Sequence, residues 1–92
     1  MIKVKFYTLL RLLIKKAEVE IEVDKIKIRD LLRLSQEAAG VKFFHKLLED
    51  DGSMKTGTII LLNGKHISHI DNLDTIARKG DVVSLFPPGG GG

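Results

Sequence analysis

The residues with the most evident chemistry are the last six, Pro87-Pro88-Gly89-Gly90-Gly91-Gly92. A main-chain carboxylate on Gly92 sits behind a run that has no side chain to block a narrow channel or shield the carbonyl from attack. Proline fixes φ and donates no hydrogen bond, so Pro87-Pro88 is expected to end a strand and project the glycines away from the body. This arrangement suits a carrier whose reactive group is its own C-terminus. A disordered tail or a linker remnant has the same composition, so the arm alone does not decide.

Other candidate chemistries fare worse. The sequence contains no cysteine, which excludes a disulfide framework, a thiolate metal site and a thioester or persulfide on a side chain. Any sulfur handled by the chain would have to ride on the C-terminus. His66 and His69 have a spacing that zinc sites use, with Asp71 nearby and His45 distant in sequence, yet no fourth ligand has characteristic spacing, and no metal is expected. The segment from Gly57 to Gly64-Lys65 fails as a phosphate loop, because six residues separate its glycines and His66 follows the lysine. No Ser-His-Asp or paired-carboxylate arrangement stands out, so the chain offers no catalytic side chains of its own.

Ninety-two residues make one small domain. The net charge of +3 could suit nucleic acid, but the lysines are scattered among acids with no Arg-rich run or aromatic series, and no nucleic-acid role is expected. No apolar run is long enough to span a membrane. The Met1-Ile2-Lys3-Val4 start lacks a signal-peptide layout, which predicts a cytoplasmic protein. Few side-chain amides (Gln36, Asn63, Asn72) against many Lys, Glu and Ile lean towards a heat-adapted source.

The elements that must hold the arm are read from periodicity. Ile2, Val4 and Phe6 alternate with Lys3, Lys5 and Tyr7, and Val19, Ile21 and Val23 alternate with Glu18, Glu20 and Glu22. Both runs are half-buried strands whose outer faces carry opposite charge, which favours them as antiparallel neighbours. Residues 8–17 read as a long connection, with Leu9, Leu10, Leu12 and Leu13 tucked onto the core. From Ile28 the period becomes helical, with a stripe of Ile28, Leu31, Leu32, Ser35 and Ala38 or Ala39, and Gly40 at its end. Val41 to Leu48 suits a short helical piece, and Glu49 to Ser53 a loop. Thr58 to Leu62 is a strand, Asn63-Gly64 a hairpin tip and Lys65 to Ile67 a short return. Residues 68–80 read as irregular, anchored by Leu73 and Ile76, and Asp81 to Phe86 is the last strand. One helix on one face of a mixed sheet makes an α+β domain over residues 1–88, followed by a flexible glycine tail, 89–92. Period 2 places Phe86 on the face opposite Val83 and Leu85, beside the arm, where it serves either as an edge core aromatic or as an anchor for a partner pocket.

This order, with its end residues, resembles the ubiquitin-like β-grasp sulfur carriers, the small subunit of molybdopterin synthase above all. Phe6-Tyr7-Thr8-Leu9-Leu10-Arg11 is similar to the segment after the family's first strand, and Leu62-Asn63-Gly64-Lys65 to its hairpin. Gly80-Asp81-Val82-Val83-Ser84-Leu85-Phe86-Pro87-Pro88 resembles the run that precedes the family's Gly-Gly terminus. The chain departs in having Gly90 where the family usually has a small non-glycine residue.

The resemblance implies a ubiquitin-like β-grasp fold with a mixed sheet of about five strands. It implies a non-catalytic subunit of a sulfurtransferase, with Gly92 adenylated and then converted to a thiocarboxylate, Gly91 and Gly90 threading a channel, and Phe86, Pro87 and Pro88 at the docking surface. Its partners would be the large synthase subunit and a ubiquitin-activating-like enzyme that uses ATP, with no cofactor bound by this chain. The product would be a pterin precursor of the molybdenum or tungsten cofactor. The same activated terminus also suits a protein modifier joined through Gly92 to lysines, or a sulfur carrier for thiazole synthesis or tRNA thiolation.

Overall fold

The computed structural model describes residues 1–89. Strands β1 (Ile2–Phe6), β2 (Glu18–Ile21), β4 (Ile59–Leu62), β5 (Lys65–His66) and β7 (Val82–Phe86) form one sheet in the order β2-β1-β7-β4-β5. Only the β1–β7 pairing is parallel. Helix α2 (Ile28–Ala39) lies against one face, which makes this the mixed-sheet, single-helix β-grasp arrangement.

The alternation in β1 is realised completely, with Ile2, Val4 and Phe6 inward. The charge argument for its neighbour holds too, because Lys3 faces Glu20 and Lys5 faces Glu18 across the β1–β2 pair. Helix α2 buries Ile28, Leu31, Leu32, Ser35 and Ala39, so Ala39 rather than Ala38 closes the stripe. The Ser35 hydroxyl donates to Leu31 O at 2.7 Å, which satisfies a polar group that would be costly to bury alone. Gly40 ends α2 at φ 73°, its N–H reaching Gln36 O and Glu37 O. The Gln36 side-chain oxygen accepts from Phe43 N and Phe44 N at 2.7 and 3.2 Å, and so ties α2 to the short helix α3 (Phe44–Leu47). The Asn63-Gly64 hairpin forms with φ of 50° and 86°, both positive as a type I′ turn requires.

Four expectations are corrected. Residues 8–17 contain a helix, α1 (Thr8–Ile14), in which only Leu10 and Ile14 are buried. Leu9, Leu12 and Leu13 are exposed, because a two-turn surface helix buries one i, i+4 stripe and these three leucines lie off it. Residues 68–80 are not irregular throughout. They hold 3-10 turns at Ile67–His69 and Asn72–Asp74 and a strand, β6 (Ile76–Arg78), paired antiparallel with β3 (Lys25–Lys27) in a second small sheet. In this sheet Ala77 is buried and Ile76 faces outward, so Leu73 is an anchor and Ile76 is not. Arg29 Nε lies 3.1 Å and Lys27 Nζ 3.7 Å from Asp74 Oδ1, and the Arg29 hydrogen bond, more than the Lys27 charge, holds the Asp74 carboxyl below its usual range.

Phe43 is fully buried and meets Phe6 edge-on at 5.6 Å, joining the α2–α3 connection to the sheet. Phe43→Ala should therefore cost about 3–5 kcal/mol, a large part of a small domain's stability. A guanidinium titration would show it as a lower midpoint at unchanged slope, and a loss under about 1 kcal/mol would mean that Phe43 is not a core contact.

Candidate functional site

The register fixes what the outer sheet face presents. Val82, Ser84 and Phe86 of β7 point away from α2, since Val83 and Leu85 are buried. Phe86 stands opposite Ile59, Ser84 opposite Leu61, and Leu61 opposite His66. On the other side, Ser84 neighbours Lys5, and Val82 neighbours Lys3. An apolar strip of Val82, Leu61, Ile59 and Phe86 therefore runs along β7 and β4, while the β1–β2 side of the same face is charged.

Tyr7 closes this strip at the end from which the arm leaves. Its N–H donates to Leu85 O at 3.1 Å, prolonging the parallel pairing by one step. Its ring stacks on Phe86 with centroids 4.5 Å apart and planes within 9°. Thr8, next in the chain, has φ 51°, an uncommon conformation for a β-branched residue, and turns the chain sharply into α1. The two half-buried aromatics form a single plate, with Ile59 (41% exposed) beside it. A plate of this kind is rigid and easily desolvated, as docking anchors are.

The root of the arm differs from a free spacer. Pro87 is buried and Pro88 half-buried. Together with Gly89 they line a groove of about 480 Å³ whose other walls are Leu9, His45, Lys46 and Lys55. The turn Lys55-Thr56-Gly57-Thr58, closed by Thr58 N donating to Lys55 O at 3.0 Å, supports it from below. Sequence reasoning weighed Gly57 only as part of a phosphate loop and gave Tyr7 no place beside the arm, since neither the turn's contact with Pro88 nor the ring stacking has a local signal. Gly90, Gly91 and Gly92 lie outside the described residues. His66 and His69 do approach one another, with ring centroids 6.2 Å apart, and His66 Nδ1 accepts from Ser68 N. Among the described residues no cluster of three or more His, Asp or Glu side chains has the makings of a metal site. Among them, too, no helix is long and apolar enough to cross a membrane.

Known proteins share this geometry. The ThiS family matches residues 4–92. The chain belongs to the ThiS family. A putative sulfur carrier protein of Archaeoglobus fulgidus is 32% identical over 79 residues, covering 86% of this chain and 89% of that one. Small archaeal modifier protein 3 of Haloferax volcanii is 39% identical over 69 residues, 75% of this chain and 73% of that one. Among solved structures, SAMP1 from Haloferax volcanii superposes with a TM-score of 0.81 at 25% identity, over 99% of this chain and 98% of that chain. A putative molybdopterin converting factor, subunit 1, from Pyrococcus furiosus superposes with a TM-score of 0.67 at 26% identity, over 96% and 97%. The ubiquitin-like β-grasp fold of this ThiS-family chain is thus shared along nearly its whole length.

The Tyr7–Phe86 stack should be measurable in the isolated protein. A double-mutant cycle with Tyr7→Ala and Phe86→Ala, followed by denaturant unfolding, should return a coupling of about 0.5–1.5 kcal/mol. Additive single losses would mean that the rings are neighbours without mutual stabilisation.

Proposed function

We propose that this ThiS-family protein is a sulfur carrier, bearing sulfur as a thiocarboxylate on Gly92, and that it serves as the small subunit of a molybdopterin synthase. The observation that carries the reading is the position of the arm's root. It continues β7, is anchored through Pro87, and emerges beside an apolar aromatic plate suited to a partner. The putative sulfur carrier among its relatives and the likeness to a putative molybdopterin converting factor subunit support it.

A C-terminal carboxylate has a reference pKa near 3.3–3.7, so at neutral pH it is ionised and a poor electrophile. Activation must come from a partner. A Gly92 carboxylate oxygen attacks the α-phosphorus of ATP in an activating enzyme and pyrophosphate leaves. A nucleophilic sulfur at the oxidation level of sulfide then attacks the acyl carbon and AMP leaves. The resulting thiocarboxylate is offered to the large synthase subunit, where sulfur passes to a pterin precursor. In this scheme Phe86 docks with Tyr7 behind it, Pro88 sets the exit, and Gly90 and Gly91 fit a channel that a Cβ would obstruct. The chain itself binds no cofactor and acts in the cytoplasm, and its partners supply the nucleotide site.

A second reading has a specific observation in its favour, the 39% identity to small archaeal modifier protein 3. Here a target lysine, rather than sulfur, displaces AMP from the activated Gly92, and an isopeptide bond results. Lysates of the native host separate the two. Mostly free protein in a non-covalent complex with a larger subunit supports carriage, and a ladder of reductant-resistant conjugates supports modification.

Incubation with the cognate activating enzyme, ATP and a sulfide source should raise the intact mass by one oxygen-to-sulfur exchange, mapped to the C-terminal peptide. Sulfur on an internal residue, or no exchange with an enzyme of proven activity, would overturn the carrier reading.

The two roles should also separate by mutation. Phe86→Ala should weaken partner association by about 2 kcal/mol, roughly 30-fold in Kd. Gly91→Leu should leave that affinity nearly intact yet block adenylation or sulfur transfer. Normal processing of Gly91→Leu with unchanged docking would refute the threaded-arm mechanism.

A further inference from the structure

We infer that Gly57 is a positioning residue for the reactive arm, holding Pro88 in place and so fixing where the chain leaves the fold. The inference rests on the carrier reading for its catalytic consequence and on geometry for the contact itself.

Gly57 is the third residue of the Lys55–Thr58 turn and has φ 92°, a conformation that glycine accepts and L side chains rarely adopt. This turn is fastened to the core at both ends. Lys55 N donates to Leu47 O at 2.9 Å, and the buried Thr58 hydroxyl donates to the same carbonyl at 2.8 Å. Leu47 is itself fully buried at the end of α3. The turn therefore cannot drift without breaking hydrogen bonds inside the fold.

Pro88 lies directly on Gly57. A Cβ at position 57 would sit 3.4 Å from both Cα and Cβ of Pro88 and 3.8 Å from Gly89 N. A methyl would already be in van der Waals contact with the proline, and at this positive φ any side chain would also strain the turn. Of the glycines from Gly40 to Gly89, Gly57 alone would bring a Cβ within 4 Å of another part of the chain. The turn thus acts as a rest, with Pro87 buried on one side and Pro88 seated on the glycine. Among the described residues, Pro88 is a fixed point three residues nearer the terminus than Leu85 with its hydrogen bond to Tyr7.

The consequence is kinetic. A carboxylate carried only a few residues beyond a fixed point reaches a partner's active site over a restricted volume, and misplacement of a reacting group by about an ångström can cost on the order of 100-fold in rate. A residue that sets the exit without touching the docking plate should govern turnover and leave affinity alone.

The test uses Gly57→Val and Pro88→Gly in the full chain, singly and together. Adenylation is followed by ATP–pyrophosphate exchange with the cognate activating enzyme, and backbone order by 15N relaxation. Gly57→Val should lower kcat by roughly tenfold or more while KM for the carrier stays within about twofold. Pro88→Gly should lower kcat in the same way, and the kcat of the double variant should be no lower than that of the more affected single. Independently of any enzyme, the order parameter of the Gly89 amide should fall in Gly57→Val while those of β1 and β7 hold in the rigid range near about 0.85. A defect confined to KM, additive kcat losses, or an unchanged Gly89 order parameter in folded Gly57→Val would overturn the assignment. If Gly57→Val does not fold, Pro88→Gly alone decides, and wild-type kcat together with a wild-type Gly89 order parameter refutes it. If the wild-type protein is not adenylated at all, the carrier reading fails, and the Gly89 order parameter still decides whether the rest exists.

Discussion

The insertion of the final strand between the first strand and β4 is the constraint on which the other features depend. Strand β7 is hydrogen-bonded on both sides, parallel to β1 and antiparallel to β4. Its inward residues Val83 and Leu85 are fully buried among side chains of the main core. The end of the described chain is therefore fastened to the centre of the sheet instead of fraying from an edge, as terminal segments often do. The arm beyond β7 starts from a fixed point, and a short arm can act as a directed reagent only when its origin does not wander.

The same pairing brings the exits of the first and last strands together. Because β1 runs parallel to β7, the residues that leave β1 arrive beside the residues that leave β7. Tyr7 reaches Phe86 for this reason, and α1 brings Leu9 to the groove beside Pro87 and Pro88. The outer face is divided by the same strand order. Lys3 and Lys5 meet Glu20 and Glu18 on one side, where paired unlike charges keep the surface hydrated. Ile59, Leu61, Val82 and Phe86 gather on the other. An apolar strip bordered by charge is the composition of a protein-binding surface more than of a small-molecule pocket.

The remaining elements provide stiffness around this origin. Helix α2 covers the inner face, the Gln36 side-chain oxygen ties its end to α3 by accepting from the backbone N–H groups of Phe43 and Phe44, and Leu47 O then holds both ends of the Lys55–Thr58 turn. The chain of support runs from the helix to the turn and from the turn to Pro88. These groups form a structural scaffold, and the chemistry proposed for the protein is assigned to a main-chain group activated by a partner.

The range of each interaction determined how much of the structure was legible in the sequence. Strands β1, β2 and β7, helix α2 and the Asn63-Gly64 hairpin were readable, because period, charge alternation and turn chemistry are local properties of consecutive residues. The terminal glycines declared a candidate reactive group by composition alone. Helix α1 was missed because its leucine-rich run has two competing faces, and only packing chose Leu10 and Ile14 over Leu9, Leu12 and Leu13. The β3–β6 sheet was missed because Lys25–Lys27 and Ile76–Arg78 are three residues each, too short for a period, and their pairing joins segments some fifty residues apart. Tertiary structure alone decided that Tyr7 would stack on Phe86, that Pro87 would be buried and that Gly57 would lie under Pro88. Each of these contacts joins parts of the chain that sequence spacing cannot relate, and each exists only because β7 closes the sheet at its centre.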